Sequence, residues 1–331
     1  MRKLLLTLLL IIVTLLPVVA GGAKEEVVTQ DAYGWVESVM ANGLPGVNPL
    51  KVTGNIITAG SSTVFPLSER IAERFSAEGY SGTITVDSIG SGAGFERFTV
   101  AGESDISNAS RPIKDKEVAQ AKTIGRDPIE FKVGTDALAV TVSAKNTFVK
   151  NVTKEELAQI FGPATYWSDV RSTWPNVEIQ RFIPGTDSGT FDYFVEEIFA
   201  KDAAAMLRAK NLQLSEDDNM LVTGIEGSEY AIGFFGYAYY VENKDVLNVI
   251  NIEGIEASAD TVNEGTYPLA RPLFLYSDAT IMREKPQVAA FINFYLTYVN
   301  EEVTSVGYFP ASDESLATSK KAWIEAMKGT Y

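Results

Sequence analysis

The stretch Lys51-Val52-Thr53-Gly54-Asn55-Ile56-Ile57-Thr58-Ala59-Gly60-Ser61-Ser62-Thr63-Val64-Phe65-Pro66-Leu67 holds a strand, a turn and the start of a helix. Alternation and β-branched residues predict a strand over Lys51 to Thr58. Small and hydroxyl residues follow, from Ala59 to Thr63. Val64, Leu67, Ile71 and Phe75 then recur at helical spacing, with Pro66 suited to the first turn.

The same unit returns twice. Thr83 to Ile89 is a predicted strand that runs into Gly90-Ser91-Gly92-Ala93-Gly94 and a helix carrying Phe95 and Phe98. Glu178 to Ile183 feeds Pro184-Gly185-Thr186-Asp187-Ser188-Gly189-Thr190, and Phe191, Phe194, Val195, Ile198 and Phe199 mark one helical face. Between and after these units lie strands at Asp105–Ser110 and Arg271–Tyr276, and two strands within Ile129–Val142 around Gly134-Thr135-Asp136. Helices are expected at Lys116–Thr123, after the capping box Thr153-Lys154-Glu155-Glu156, and at Gln287–Thr297 and Ser319–Met327. The aromatic run Tyr230 to Tyr240 is a strand and turn of the core. Residues 21–50 form a tether with one short helix around Tyr33 to Met40, stopped by Gly43-Leu44-Pro45-Gly46. Strands alternating with helices give open α/β sheets, whose ligands sit at strand carboxyl ends beside helix N-termini.

Composition narrows the chemistry. A chain of 331 residues suits two α/β lobes of roughly 100–150 residues each. It has no Cys, hence no disulfide, thiolate or lipid-acceptor cysteine. It has no His, which removes the usual general base, the usual zinc ligand and a Ser-His-Asp triad. No cofactor or metal is expected. The net charge of −15 argues against nucleic acid as a partner, so an anionic ligand must be held by local dipoles and a few placed cations.

Met1-Arg2-Lys3 and the apolar run Leu4 to Ala20 have the form of an export leader. Val18 and Ala20 fit a cleavage site, with cleavage after Ala23 as a second option and an uncleaved anchor as a third. The expected place is the periplasm or the outer face of the cytoplasmic membrane.

Each of the three turns offers free backbone N–H groups at a positive helix end and a hydroxyl donor, and glycine permits close approach. One such turn is an ordinary helix cap. Three of them, without a catalytic base, point to a cradle for a small oxyanion. None has the P-loop spacing with its Lys.

The segments Ala59–Leu67, Ile89–Gly92, Asp105–Arg111 and Gly185–Phe191, in that order, with Tyr267–Leu273 near the end, together resemble the phosphate-binding protein of the high-affinity phosphate ABC transporter, the PstS family. The similarity runs from about Ile56 to the C-terminus. It implies a two-lobed type II periplasmic-binding-protein (Venus flytrap) α/β fold with two crossover hinge strands. The implied division is a leader over 1–23, a tether over 24–49, lobe I over 50–140 plus 272–331, and lobe II over 141–271. It also implies phosphate held by Ser62, Thr63, the backbone of Val64, Ser91, Ser188, Gly189 and Thr190, and a monomer that serves the membrane permease of an ABC importer.

Two positions depart from the family's best-known branch. Arg111 stands where that branch has Asp, and Pro184 where it has Arg. The reading that restores both functions has Arg111 supply the cation and Asp136 the acceptor. A carboxylate accepts a hydrogen bond from protonated phosphate and repels sulfate, which carries no proton. The plainer alternatives are a turn role for Asp136 and a surface ion pair for Arg111. Arg271 is a weaker candidate, since hinge-side pairing explains it equally well, and Asp187 caps its helix or orients Arg111. Two other functions stay open: a binding protein for another tetrahedral oxyanion, and an exported hydrolase using Ser91 or Ser188, neither of which lies in a nucleophile elbow.

Overall fold

The computed structural model describes residues 30–328 except 42 and 187. The leader and Asp187 therefore lie outside the described residues. Among those described, no helix is long and apolar enough to cross a membrane.

The chain opens with a hairpin, β1 (Trp35–Ala41) paired antiparallel with β2 (Leu44–Val47), where a helix was expected over Tyr33 to Met40. Asn42-Gly43 is the dipeptide that favours such a turn, and Gly43 has φ +90°. Trp35, the first residue of β1, stacks on Tyr33 at 5.2 Å and meets Trp323 edge-on at 5.4 Å.

Among the described residues, the main sheet comprises nine strands. In chain order these are β3 (Ile56–Gly60), β4 (Ile84–Ser88), β5 (Ile106–Ala109), β6 (Pro128–Ser143), β7 (Gln180–Pro184), β8 (Leu212–Ser215), β9 (Ala231–Gly236), β10 (Leu247–Val249) and β11 (Ala270–Asp278). They lie in the order β4-β3-β5-β11-β6-β9-β7-β8, with β10 on β6. The first strand begins at Ile56 rather than Lys51, because Pro49–Lys51 form a helical turn.

One strand spans the stretch where two were expected. β6 runs unbroken through Gly134: its first half pairs with β11, and its second half with β9 and β10. Gly134 marks a close approach rather than a turn. A Cβ there would stand 3.0 Å from the Phe309 carbonyl, and Thr135 exchanges both backbone hydrogen bonds with Phe309 at 3.0 and 2.8 Å. β6 and β11 are thus the two strands that cross between lobes.

The helices that matter for the site are α1 (Phe65–Ala77), α2 (Ser91–Glu96), α3 (Lys154–Ile160), α4 (Gly189–Phe199), α5 (Asp218–Glu226), α6 (Pro286–Glu302) and α7 (Asp313–Ala326). Each lobe has its own core. In lobe I, Leu67, Ile71 and Phe75 of α1 pack with Phe291 of α6 and Trp323 of α7. In lobe II, Phe161 and Phe194 meet Phe234 of β9, the last two stacked at 3.8 Å. Separate cores with only two long shared strands give a mixed α/β, Venus-flytrap architecture, in which a hinge can move two rigid bodies.

Candidate functional site

β3 ends on Gly60 at φ +146°, where a Cβ would lie 2.0 Å from the Asn108 carbonyl. Only glycine fits that path, and it delivers Ser61-Ser62-Thr63 to the start of α1. Ser61 Oγ accepts from Val64 N at 3.4 Å, and Thr63 and Val64 are buried. The Thr63 carbonyl accepts from Tyr308 Oη at 2.8 Å.

The second turn docks on the first. Ile89 N and Gly90 N both donate to Gly60 O, at 2.9 and 2.7 Å, and Gly94 leaves no room for a side chain against Gly60. Ser91 Oγ accepts from Ser110 N at 3.1 Å and lies 3.3 Å from Ser110 Oγ.

The third turn comes from lobe II and meets the first directly. Ser188 Oγ accepts from Thr190 N at 3.2 Å, capping α4. A Cβ on Gly189 would stand 3.2 Å from Thr63 Cα. The two turns face each other with only a glycine's thickness between them.

Arg271 joins them. It sits on β11 opposite Asp136 of β6 in the sheet register. Its Nε donates to Asp136 Oδ2 at 3.2 Å. Its Nη2 donates to Thr63 Oγ1 of lobe I and to Gly189 O of lobe II, the latter at 3.2 Å. Its Cζ lies 3.8 Å from the Tyr193 ring centroid. One guanidinium therefore touches both lobes and both crossover strands.

Asp136 is wholly buried, and its Oδ1 has no hydrogen-bond partner among the described residues. Burial pushes its carboxyl up from the ordinary value, while the charge and hydrogen bond of Arg271 pull it down. Burial is the larger effect, so the carboxyl stays raised, and Arg271 offsets only part of that rise.

Arg111 is placed differently. Its fork grips Glu117 at 2.9 and 2.7 Å, it donates to Pro112 O, and it lies over the Phe95 ring at 4.8 Å. The surface ion pair named as the plainer alternative is present, although Arg111 still borders the cleft.

Two chambers meet along the line from Ser62 to Gly189. The larger, about 590 Å³, is lined by Thr63, Ser91, Arg111, Lys114, Tyr193 and Arg271 among others. The smaller, about 390 Å³, takes Ser188, Gly189, Thr190, Glu216, Asp218 and Tyr239, and Ser62 borders both. Arg271 Nη2 lies at this seam, against the first turn at Thr63 and the third at Gly189.

Residues 47–298 match the model of the PBP superfamily domain. The chain is 40% identical over 305 residues to Protein SphX of Synechococcus elongatus, covering 88% of each chain. It is 36% identical over 262 residues to the phosphate-binding protein PstS of Staphylococcus haemolyticus, covering 77% of this chain and 81% of that one. The chain belongs to the PstS family. Among solved structures, a possible phosphate binding protein from Planctomyces limnophilus superposes with a TM-score of 0.75 at 36% identity, over 83% of this chain and 99% of the other.

In this PstS-family chain, three residues at the seam lie outside the turn motifs. Tyr308 and Tyr193 carry no motif. Arg271 was only a weaker candidate, yet an Arg in the apolar strand Ala270–Asp278, in register with Asp136, is the signal that sets it apart. For Tyr193 the signal is its spacing. It lies four residues after Gly189, on the same face of α4 as the turn that meets Thr63.

Proposed function

We propose that this chain binds inorganic phosphate between its two lobes, outside the cytoplasmic membrane, and passes it to the membrane permease of an ABC importer. The observation that carries the reading is the pair of Arg271 with the wholly buried Asp136. It places one cation against both turns and leaves one carboxylate oxygen without a partner.

The turns supply N–H and O–H donors to the phosphate oxygens, through Thr63 and the Val64 backbone on one side and Ser188, Gly189 and Thr190 on the other. Ser62 borders both chambers and Ser91 lines the larger. Arg271 offers charge, and Asp136 accepts from a protonated phosphate oxygen while repelling a fully deprotonated anion. Arg111 serves as a second cation at the cleft wall. Ligand bound between the lobes favours the closed form, which is the form a permease can distinguish. The PstS-type relatives support placing the protein outside the cytoplasm, and the leader-like sequence over 1–23 supports export.

Another tetrahedral oxyanion is the second reading, and Asp136 separates the two. Asp136→Asn is expected to cost phosphate about 10- to 100-fold in affinity, the worth of a charged hydrogen bond. The same variant should narrow the gap to sulfate. Unchanged phosphate affinity, with sulfate still rejected, would remove Asp136 from the site. A hydrolytic reading has less support, because the relatives are binding proteins and Ser91 is paired with Ser110 rather than with a base. No turnover of p-nitrophenyl phosphate is expected.

A further inference from the structure

We propose that Tyr193 is a positioning residue for anion capture: its ring, carried by the helix that begins at the Gly189 turn, sets the plane of the Arg271 guanidinium at the seam. The inference rests on the phosphate reading and assigns a part of that site which no turn motif announces.

A guanidinium has all its N–H groups in one plane, so hydrogen bonds steer its edge and only packing can hold its faces. The edge of Arg271 is already divided. Nε goes to Asp136, Nη2 to Thr63 and Gly189, and Nη1 lies 4.0 Å from Glu196. The face is covered by Tyr193, with Cζ 3.8 Å from the ring centroid. At that distance the negative π face attracts the cation as well as packing against it.

The arrangement links the cation to lobe closure. Tyr193 belongs to the lobe II core, and α4 begins at the turn facing Thr63. The Gly189 turn and the Tyr193 ring ride on one helix, so the group facing Thr63 and the group covering Arg271 are carried together. Burial raises the phenol above its ordinary value, and the nearby Asp136 carboxylate adds to the effect. The ring stays neutral near physiological pH and remains a usable π face. A lysine at position 271 would keep the charge but offer no plane to hold.

The test is phosphate titration of the wild type, Tyr193→Phe, Tyr193→Leu, Arg271→Lys and the Tyr193→Leu/Arg271→Lys double variant. Thermal unfolding without phosphate checks that each is folded. Tyr193→Leu should weaken binding by about 3- to 30-fold. Tyr193→Phe should restore affinity to within about twofold of wild type, since it keeps the face. In the Arg271→Lys background, Tyr193→Leu should add less than about twofold, because the pair acts as a unit.

If Tyr193→Leu does not fold, Tyr193→Met replaces it with the same expected values. If Arg271→Lys binds too weakly to titrate, the split between Phe and Leu decides alone. Equal losses in both backgrounds, or wild-type affinity in Tyr193→Leu, would overturn the proposal while the phosphate reading stands. A wild type that binds no phosphate would overturn both together.

Discussion

The two chambers of the cleft share hydroxyl-bearing turns and differ in charge. Among the described residues, the larger is lined by the cations Arg111, Lys114, Lys201 and Arg271 and by the carboxylates Asp192, Glu196 and Glu197. Among the described residues, the smaller is lined by Glu216 and Asp218 and by no Lys or Arg. Hydroxyls and helix ends alone therefore do not decide where an anion goes. Arg271 stands at the seam between the chambers, and on the proposed reading it is the charge that decides. In a chain of net charge −15 this local placement has to overcome the overall field.

The strongest way to break this contrast is to remove its decisive charge. Arg271→Gln should reduce phosphate affinity by about 100-fold or more, as for one partner of a desolvated, hydrogen-bonded charge pair. It should also leave Asp136 buried without a counter-charge and lower thermal stability. A calorimetric loss under about tenfold would mean the anion is held elsewhere. Next comes Thr63→Val, which keeps the shape and deletes one neutral hydroxyl. About a tenfold weakening is expected in the same titration.

Arg111→Gln should cost about threefold or less, because Glu117 already occupies its fork and a partly exposed ion pair contributes little. A loss matching that of Arg271→Gln would reverse the ranking of the two arginines. The smallest effect lies in the acidic chamber. Asp218 is pushed up to about 6, first by burial and then by Asp217, from an ordinary 3.8. The folded state therefore holds this proton more tightly than the unfolded chain. At this group, stability is gained as pH falls from 7 through 6 towards 4, and is missing above 6. Asp218→Asn should raise the thermal midpoint by about 2 °C at pH 7.5, with the difference fading by pH 4.5, and leave phosphate affinity within about twofold. A flat pH difference would show that Asp218 is not the titrating group.

Much of the fold was legible because it rests on periodicity and on glycine. The α1 spacing of Leu67, Ile71 and Phe75 is the buried face observed, and the Thr153 capping box opens α3 as read. Where the reading failed, glycine had a second meaning. Gly134 looked like a break between strands, yet it accommodates the Phe309 carbonyl beside a continuous β6. Near the N-terminus, Asn42-Gly43 was passed over in favour of a helix, and the hairpin there is held by Tyr33, Trp35 and Trp323, a contact no local pattern announces. At the site, the three turns were visible as motifs. The meeting of Arg271 with Asp136 depends on antiparallel register between strands more than 120 residues apart, with |i−j| of 135. The pairing of Arg111 with Glu117 is local, but nothing in the sequence favoured that partner over the cleft.

On the proposed reading, the cation at the seam and the carboxylate behind it select phosphate. The most direct measurement is calorimetric titration of the purified protein, unfolded and refolded to strip bound anion, first with phosphate and then with sulfate at the same pH. One tight equivalent of phosphate with no heat from sulfate is the predicted result. Comparable binding of both anions, or of neither, would contradict it.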